Sequence, residues 1–268
     1  MSDSNIPFQD IHEMSRFSYL VYNYVKYWNI QNLDALDDFL QNESSNENLN
    51  DFSRETLKQI RNIYPKSRII KFITNKADMQ CCIGENPHLN RCTIVFRGTE
   101  SKRDWLYNLM VCKHQKNGTY FHRGFYRQLI KDGSFDSIVS TVQNTNKNTK
   151  WFLTGHSLGG ALAVLAGYLL AIEFPELDFT IVSLGAPKIG GKSFKRAFDA
   201  QTNLHYYRLT NPKDIICKLP FFAYTHVGCL VNYNSDTRKF STNLQTTTSN
   251  LLNISSHKIE KYVQRLDR

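Results

Sequence analysis

No stretch of the 268-residue chain stays apolar long enough to cross a bilayer: the longest nearly uninterrupted run, Gly159 to Ile172, falls short of the ~20 residues a spanning helix needs. The first residues, Met-Ser-Asp-Ser-Asn-Ile-Pro, offer no basic start, apolar segment or small-residue cleavage site, so no secretory signal is read there. Cysteine is scarce and badly spaced for metal: there are six, with Cys81 and Cys82 adjacent and no C-x₂-C pair. Buried thiols in a reducing compartment are therefore expected, which points to a soluble, cytoplasmic protein whose membrane contact is peripheral. The sequons at Asn42, Asn117 and Asn253 keep secretion open as the alternative. No internal repeat is present, and 13 glycines and 7 prolines exclude a collagen-like chain.

Acidic residues are outnumbered, 24 against 33 basic, and the net charge of +9 favours anionic surfaces. The basic residues are scattered (Lys66, Arg68, Lys71; Lys113, Lys116; Lys188, Lys192, Lys195, Arg196) and belong to no nucleic-acid-binding motif, so they read as a solvated face. Nucleic acid is not an expected partner. With 41% apolar residues the chain has enough material for a sizeable core.

Residues 8 to 30 present Phe17, Tyr19, Leu20, Tyr22, Tyr24, Val25, Tyr27 and Trp28 with few breakers, the pattern of a helix with a broad aromatic face packed on a core. Residues 41 to 51 have too little apolar surface to offset ordering entropy and read as a mobile insertion. Residues 1 to 67 are thus expected to be an N-terminal helical region packed on the domain formed by residues 68 to 268. In that domain, β-branched or apolar runs at Arg68–Thr74, Cys92–Phe96, Trp151–Thr154, Phe179–Leu184, Leu204–Leu209 and Val227–Tyr233 alternate with helical patterns at Phe125–Gln143, Gly159–Glu173 and Gly191–Ala200. Such alternation predicts an α/β fold with a mainly parallel central sheet flanked by helices. Functional residues are then expected just beyond the carboxyl ends of the strands.

One segment satisfies that expectation with chemistry attached. Trp151-Phe-Leu-Thr-Gly155-His156-Ser157-Leu158-Gly159-Gly160-Ala161 is G-x-S-x-G with a strand pattern before it and a helix pattern after it. Side chains at 155 and 159 would crowd the neighbouring strand and helix, and the helix starting at Leu158 aims free N–H groups at the place where an oxyanion forms. Ser157 is the candidate nucleophile. A serine hydroxyl needs a base, and the base needs an acid to fix its tautomer.

In the expected chain order the acid follows the serine and precedes the base. Asp214 comes shortly after the strand Leu204–Leu209, whereas Asp178 precedes a strand, Asp199 lies within a helix pattern and Asp236 sits in a turn pattern. Two histidines follow Asp214: His226, at the start of a strand, and His257, where Ser255 or Ser256 can cap a terminal helix. Spacing favours His257 and leaves His226 open. The break after Cys92–Phe96 at Gly98 makes Thr99, with Leu158, the pair of oxyanion donors. Beyond it, Trp105, Leu106, Leu109 and Met110 form an apolar helical face read as a lid over the pocket.

These segments, taken in order, resemble a known family. Val95-Phe-Arg-Gly-Thr99 with Asp104-Trp105, Phe121-His122-Arg-Gly124-Phe125, Thr154-Gly-His-Ser157-Leu-Gly-Gly-Ala161, Leu184-Gly-Ala-Pro187-Lys-Ile-Gly190, Arg208-Leu-Thr-Asn-Pro-Lys-Asp214-Ile, Thr225-His226-Val-Gly228 and Ser256-His257 with Tyr262 are similar to the class 3 lipases, the fungal-lipase-like branch of the α/β hydrolases. The similarity spans roughly residues 68 to 265. It implies an α/β-hydrolase fold, with Ser157 as nucleophile, Asp214 as acid, His257 rather than His226 as base, and Thr99 and Leu158 as oxyanion donors. It further implies hydrolysis of lipid carboxylic esters through an acyl-enzyme, in the manner of a triacylglycerol lipase, without metal or organic cofactor. Phospholipase A or galactolipase activity is the alternative substrate reading. A catalytically idle hydrolase fold that binds lipid or a partner is the alternative of another class. The family's Asp-x-Val-Pro-x-Leu-Pro-Pro is replaced here by Asp214-Ile-Ile-Cys-Lys-Leu-Pro220-Phe221, which alters the loop beside the acid.

Overall fold

The computed structural model describes residues 6–24, 51, 54, 55, 58, 68–99, 113–116, 118–234, 239–243 and 253–267. Five runs of the chain lie side by side in parallel: β3 (Arg91–Phe96), β6 (Lys150–His156), β7 (Phe179–Leu184), β8 (Leu204–Leu209) and β9 (Cys229–Asn234). Antiparallel strands extend both edges, β1 (Arg68–Thr74) and β2 (Gln80–Asn86) beyond β3 and β10 (Lys239–Asn243) beyond β9. The eight strands follow the order β1-β2-β3-β6-β7-β8-β9-β10, and β4 (Lys113–Lys116) with β5 (Thr119–His122) forms a separate hairpin. The fold is α/β with a mixed, mostly parallel sheet.

Parallel strands are buried on both faces, so their residues alternate between two cores. On one face Ile94, Leu153 and Ile181 meet α2 (Arg123–Ile130), α3 (Ser134–Gln143), α5 (Lys192–Asp199) and above all α4 (Leu158–Glu173). Every residue of α4 from Leu158 to Ala171 is buried, which explains a sequence that is apolar around its whole circumference. On the other face Val95, Phe152, Val182 and Leu209 meet α1 (Phe8–Tyr24) and α6 (Ile259–Asp267).

Polar contacts fix how α1 lies. Arg91 at the start of β3 pairs with both Asp10 and Glu13, and its guanidinium stacks 4.3 Å from the Phe152 ring. Arg16 reaches Asp267 at the far end of α6. Under the helix, the Ser18 hydroxyl sits 2.8 Å from that of Thr154, whose side chain also donates to the Val182 carbonyl at 2.8 Å. The aromatic helix expected over residues 8 to 30 is thus present over 8–24, and residues 25–30 lie outside the described residues. The expected insertion at 41–51 also lies outside them, apart from Asp51.

The sequence reading misses β2 and joins α2 to α3. Gln80-Cys-Cys-Ile-Gly-Glu-Asn86 has neither strict alternation nor β-branched enrichment, yet neighbours on both sides stabilise it as a strand. The helical pattern of Phe125–Gln143 breaks at Asp132 (φ 55°) and Gly133 (φ 72°). The break is held by the β1–β2 turn, where the Asn75 side-chain amide donates to the Gln128 carbonyl (2.8 Å), the Lys131 carbonyl (3.1 Å) and the Ser134 hydroxyl (2.8 Å). Among the described residues no helix is long and apolar enough to cross a membrane, and five cysteines are unpaired thiols.

Leu165 lies fully inside the larger core. Leu165→Ala is expected to lower unfolding free energy by about 2–5 kcal/mol, read from urea titrations with an unchanged denaturant slope.

Candidate active site

Ser157 occupies the single residue between β6 and α4 and is held at φ 59°, ψ −124°, a conformation that non-glycine residues rarely adopt. The turn survives because its surroundings over-determine it. The Ser157 N–H donates to the Leu184 carbonyl of β7 (2.9 Å), and its carbonyl accepts from Ala161 N–H within α4 (3.2 Å). A Cβ at Gly155 would fall 2.4 Å from the Gly159 carbonyl carbon, and one at Gly159 would fall 2.3 Å from the Phe96 carbonyl oxygen. The two glycines let β3, β6 and α4 approach closely enough to force the turn, as the sequence pattern led us to expect.

The fold brings Ser157, His257 and Asp214 together from three parts of the chain. Ser157 Oγ lies 2.7 Å from His257 Nε2, and His257 Nδ1 lies 2.6 Å from Asp214 Oδ2. A carboxylate only accepts, so Nδ1 carries the proton and Nε2 presents its lone pair to the serine hydroxyl. All three groups are buried, Asp214 completely.

An ionised carboxylate without water needs donors, and Asp214 has four: the His257 ring, the Tyr262 hydroxyl at 2.6 Å, the Ile216 N–H at 2.8 Å and the Cys217 thiol at 3.5 Å. Burial, followed by the nearby Asp214 charge, pushes the Cys217 thiol up, so it stays protonated and able to donate. Tyr262 is likewise held well above the usual phenol range, first by burial. Its oxygen also accepts from the Asn211 N–H (3.1 Å), which ties α6 to the loop after β8.

His257 is fixed from behind as well. It ends the short 3₁₀ turn Ser255–His257, so Ser255 and Ser256 lie within that turn ahead of α6, and the Asn253 side-chain carbonyl accepts from the Ser256 N–H (2.7 Å). The His257 carbonyl accepts from His156 Nε2 (2.7 Å), which leaves His156 Nδ1 to accept from the Tyr22 hydroxyl of α1 (3.1 Å). Sequence reasoning overlooked His156, Tyr22 and Cys217 as neighbours of the site. A histidine at the buried end of β6, directly before Ser157, was the one visible signal.

Of the two candidate oxyanion donors, Leu158 begins α4, where helix geometry leaves its N–H without an intrahelical acceptor. Thr99 is half-buried, and the preceding Gly98 packs on the His156 carbonyl and the Tyr22 hydroxyl, so this loop runs beside the Ser157 turn. Trp105, Leu106, Leu109 and Met110, read as a lid, lie outside the described residues. Among the described residues no three His, Cys, Asp or Glu side chains cluster so as to hold a metal.

His226 does not join the group. It precedes β9, which runs parallel to β8, and lines a cavity with Arg208 and Lys188. Desolvation first, then the charges of Arg208 and Lys188, push it down to about 3.

Comparison with known proteins places these residues in context. Residues 93–224 match the family described as Lipase (class 3). The lipase of Rhizopus niveus is 33% identical over 147 residues, 50% of this chain and 36% of that protein. Phospholipase A1-IIbeta of Arabidopsis thaliana is 36% identical over 92 residues, 31% of this chain and 22% of that protein. The chain therefore matches about a third or less of the length of these relatives. The solved structure of lipase II from Rhizopus niveus superposes with a TM-score of 0.71 at 21% identity, covering 93% of this chain and 92% of that one, a likeness of fold.

Because His226 binds its proton more weakly when folded than at the usual 6.5, the unfolded chain takes up the extra proton between about 3 and 6.5. Stability is expected to fall as pH drops through that window. Urea midpoints at about pH 4.5 and about pH 7.5 should differ less in His226→Gln than in the parent chain.

Proposed function

The chain belongs to the class 3 lipase family, and on that premise we propose that it hydrolyses carboxylic esters of lipids through a serine-bound acyl intermediate. The observation that carries this reading is the unbroken hydrogen-bond chain from Ser157 Oγ through His257 to the buried Asp214. As a lipid-ester substrate approaches, His257 Nε2 takes the Ser157 proton while Oγ attacks the carbonyl carbon. Asp214 remains ionised, holding the ring's tautomer and stabilising the imidazolium that forms. Negative charge gathers on the former carbonyl oxygen, where the N–H groups of Leu158 and Thr99 receive it, each worth about 3 kcal/mol. The imidazolium then protonates the departing alcohol. Water, deprotonated by the same nitrogen, releases the acid and restores the serine.

The strained backbone at Ser157 supports this reading, since it holds the hydroxyl clear of β6 and α4 and aims it at the imidazole. Residues 68–268 are the unit that we assign the chemistry, with the N-terminal helical region bracing it. Relatives named lipase and phospholipase A1 make a lipid ester the proposed substrate class. The net charge of +9 favours an anionic lipid surface as the place where it is met.

Ser157→Ala is expected to lower p-nitrophenyl ester turnover by about 10⁴-fold or more with the circular dichroism spectrum unchanged, and a fluorophosphonate should label Ser157 in the parent chain alone. Turnover that survives the substitution, or folded protein that refuses the label, would overturn the reading. Tyr262→Phe removes one donor from Asp214 and is expected to lower kcat by about tenfold with little change in KM, measured by steady-state kinetics on the same ester.

A further inference from the structure

A cavity of about 910 Å³ is walled by Asp214 but by neither Ser157 nor His257. Its other walls carry cations: Arg208 from β8, Lys188 from the loop after β7 and Lys218 from the loop after Asp214. Arg208 is 4% exposed, and its Nε and Nη1 are buried without a hydrogen-bond partner. Lys188, read from the sequence as part of a solvated face, is half-buried instead, and its ammonium donates to the Pro220 carbonyl (3.2 Å). Among the described residues no carboxylate pairs with any of the three. Asp214 is committed to His257 and Tyr262, and Asp199, the other acid in the wall, is bonded to Lys195 at 2.6 Å. The cations feel one another, as Lys188 is lowered by burial and then by Lys218.

A buried guanidinium flanked by two half-buried ammonium groups, with no paired counter-charge among the described residues, is the electrostatic mould of an anion. We propose that this cavity binds a phosphoryl group, as a free phosphate or as the headgroup of a phospholipid, through Arg208, Lys188 and Lys218. A carboxylate ligand brings one charge and two oxygens. A phosphoryl group brings up to two charges and three or more oxygens, which matches one forked guanidinium and two ammonium groups. The rim of the cavity favours the lipid source: Phe221 lines it and is 54% exposed, and Phe222 beside it is 86% exposed, two apolar rings suited to the boundary between headgroups and acyl chains. The site does not depend on the hydrolytic reading.

Inorganic phosphate titrated into the full chain by calorimetry, at constant ionic strength against chloride and acetate, is expected to bind saturably. Lys188→Ala/Lys218→Ala should weaken that binding by about tenfold or more while the circular dichroism spectrum stays the same. Arg208→Met, which removes the buried charge and keeps the bulk, should lose phosphate binding without lowering its own thermal midpoint. In a second arm the protein is sedimented with phosphatidylcholine vesicles with and without phosphatidic acid. Recruitment by phosphatidic acid that the double lysine variant and Phe221→Ser/Phe222→Ser both lose identifies a headgroup. Phosphate binding without that preference identifies a free phosphate. The proposal is overturned if phosphate does not saturate, if acetate matches it, or if the folded double lysine variant binds it as tightly as the parent.

Discussion

A carboxylate carried out of water must be surrounded by donors, and Asp214 draws its donors from widely separated parts of the chain. Ile216 and Cys217 come from its own turn, His257 from the 3₁₀ turn near the C-terminus and Tyr262 from α6. Satisfying that one charge therefore decides where the C-terminal segment packs, because α6 must dock with Tyr262 pointing inward. The Asn253 N–H adds a bond to the Lys213 carbonyl at 2.9 Å, so the loop after β8 and the histidine-bearing turn close on each other like a clasp. The serine contributes a different constraint. Its strained backbone is sustained by close packing of β3, β6 and α4, and the imidazole couples the packing problem to the charge problem.

Much of this architecture was legible in the sequence because it rests on strong local signals. Six of the ten strands among the described residues, and the long α4, announced themselves through β-branched runs and an unbroken apolar stretch. Ser157 stood out by its two glycines and by the strand and helix patterns around it. Asp214 and His257 were harder, since no local pattern marks a residue whose meaning is a contact across 43 or 100 positions, the separations of the Asp214–His257 and Ser157–His257 bonds. Order along the chain left His226 open, and family resemblance favoured His257. What stayed hidden depends on tertiary context: β2 is a strand because β1 and β3 bracket it, and the α2–α3 break exists because Asn75 arrives from a distant turn.

The two sides of Asp214 differ in electrostatic character. Toward Ser157, the Asp214 carboxylate is met by the His257 ring, the Tyr262 hydroxyl, the Ile216 N–H and the Cys217 thiol. Toward Arg208, the cations line a cavity in which, among the described residues, no carboxylate pairs with them, and His226 stays neutral beside them because its desolvation and their fields act in the same direction. The loop that departs from the family pattern, Ile215 to Phe221, forms part of the wall between the two. A sequence change there therefore touches both environments, one by altering Cys217 against the acid and the other by altering Lys218 and the aromatic rim.

The hydrogen bonds that run from Tyr22 to His156 and on to the His257 carbonyl give α1 a part in the site that its distance in sequence conceals. A fragment starting at Arg68 would retain the serine, the histidine and the aspartate, and would still lose the strut behind the imidazole along with the Arg91 and Arg16 moorings. The unit that holds this geometry thus includes a helix far from Ser157 in sequence, and its boundary does not follow from the positions of Ser157, Asp214 and His257 alone.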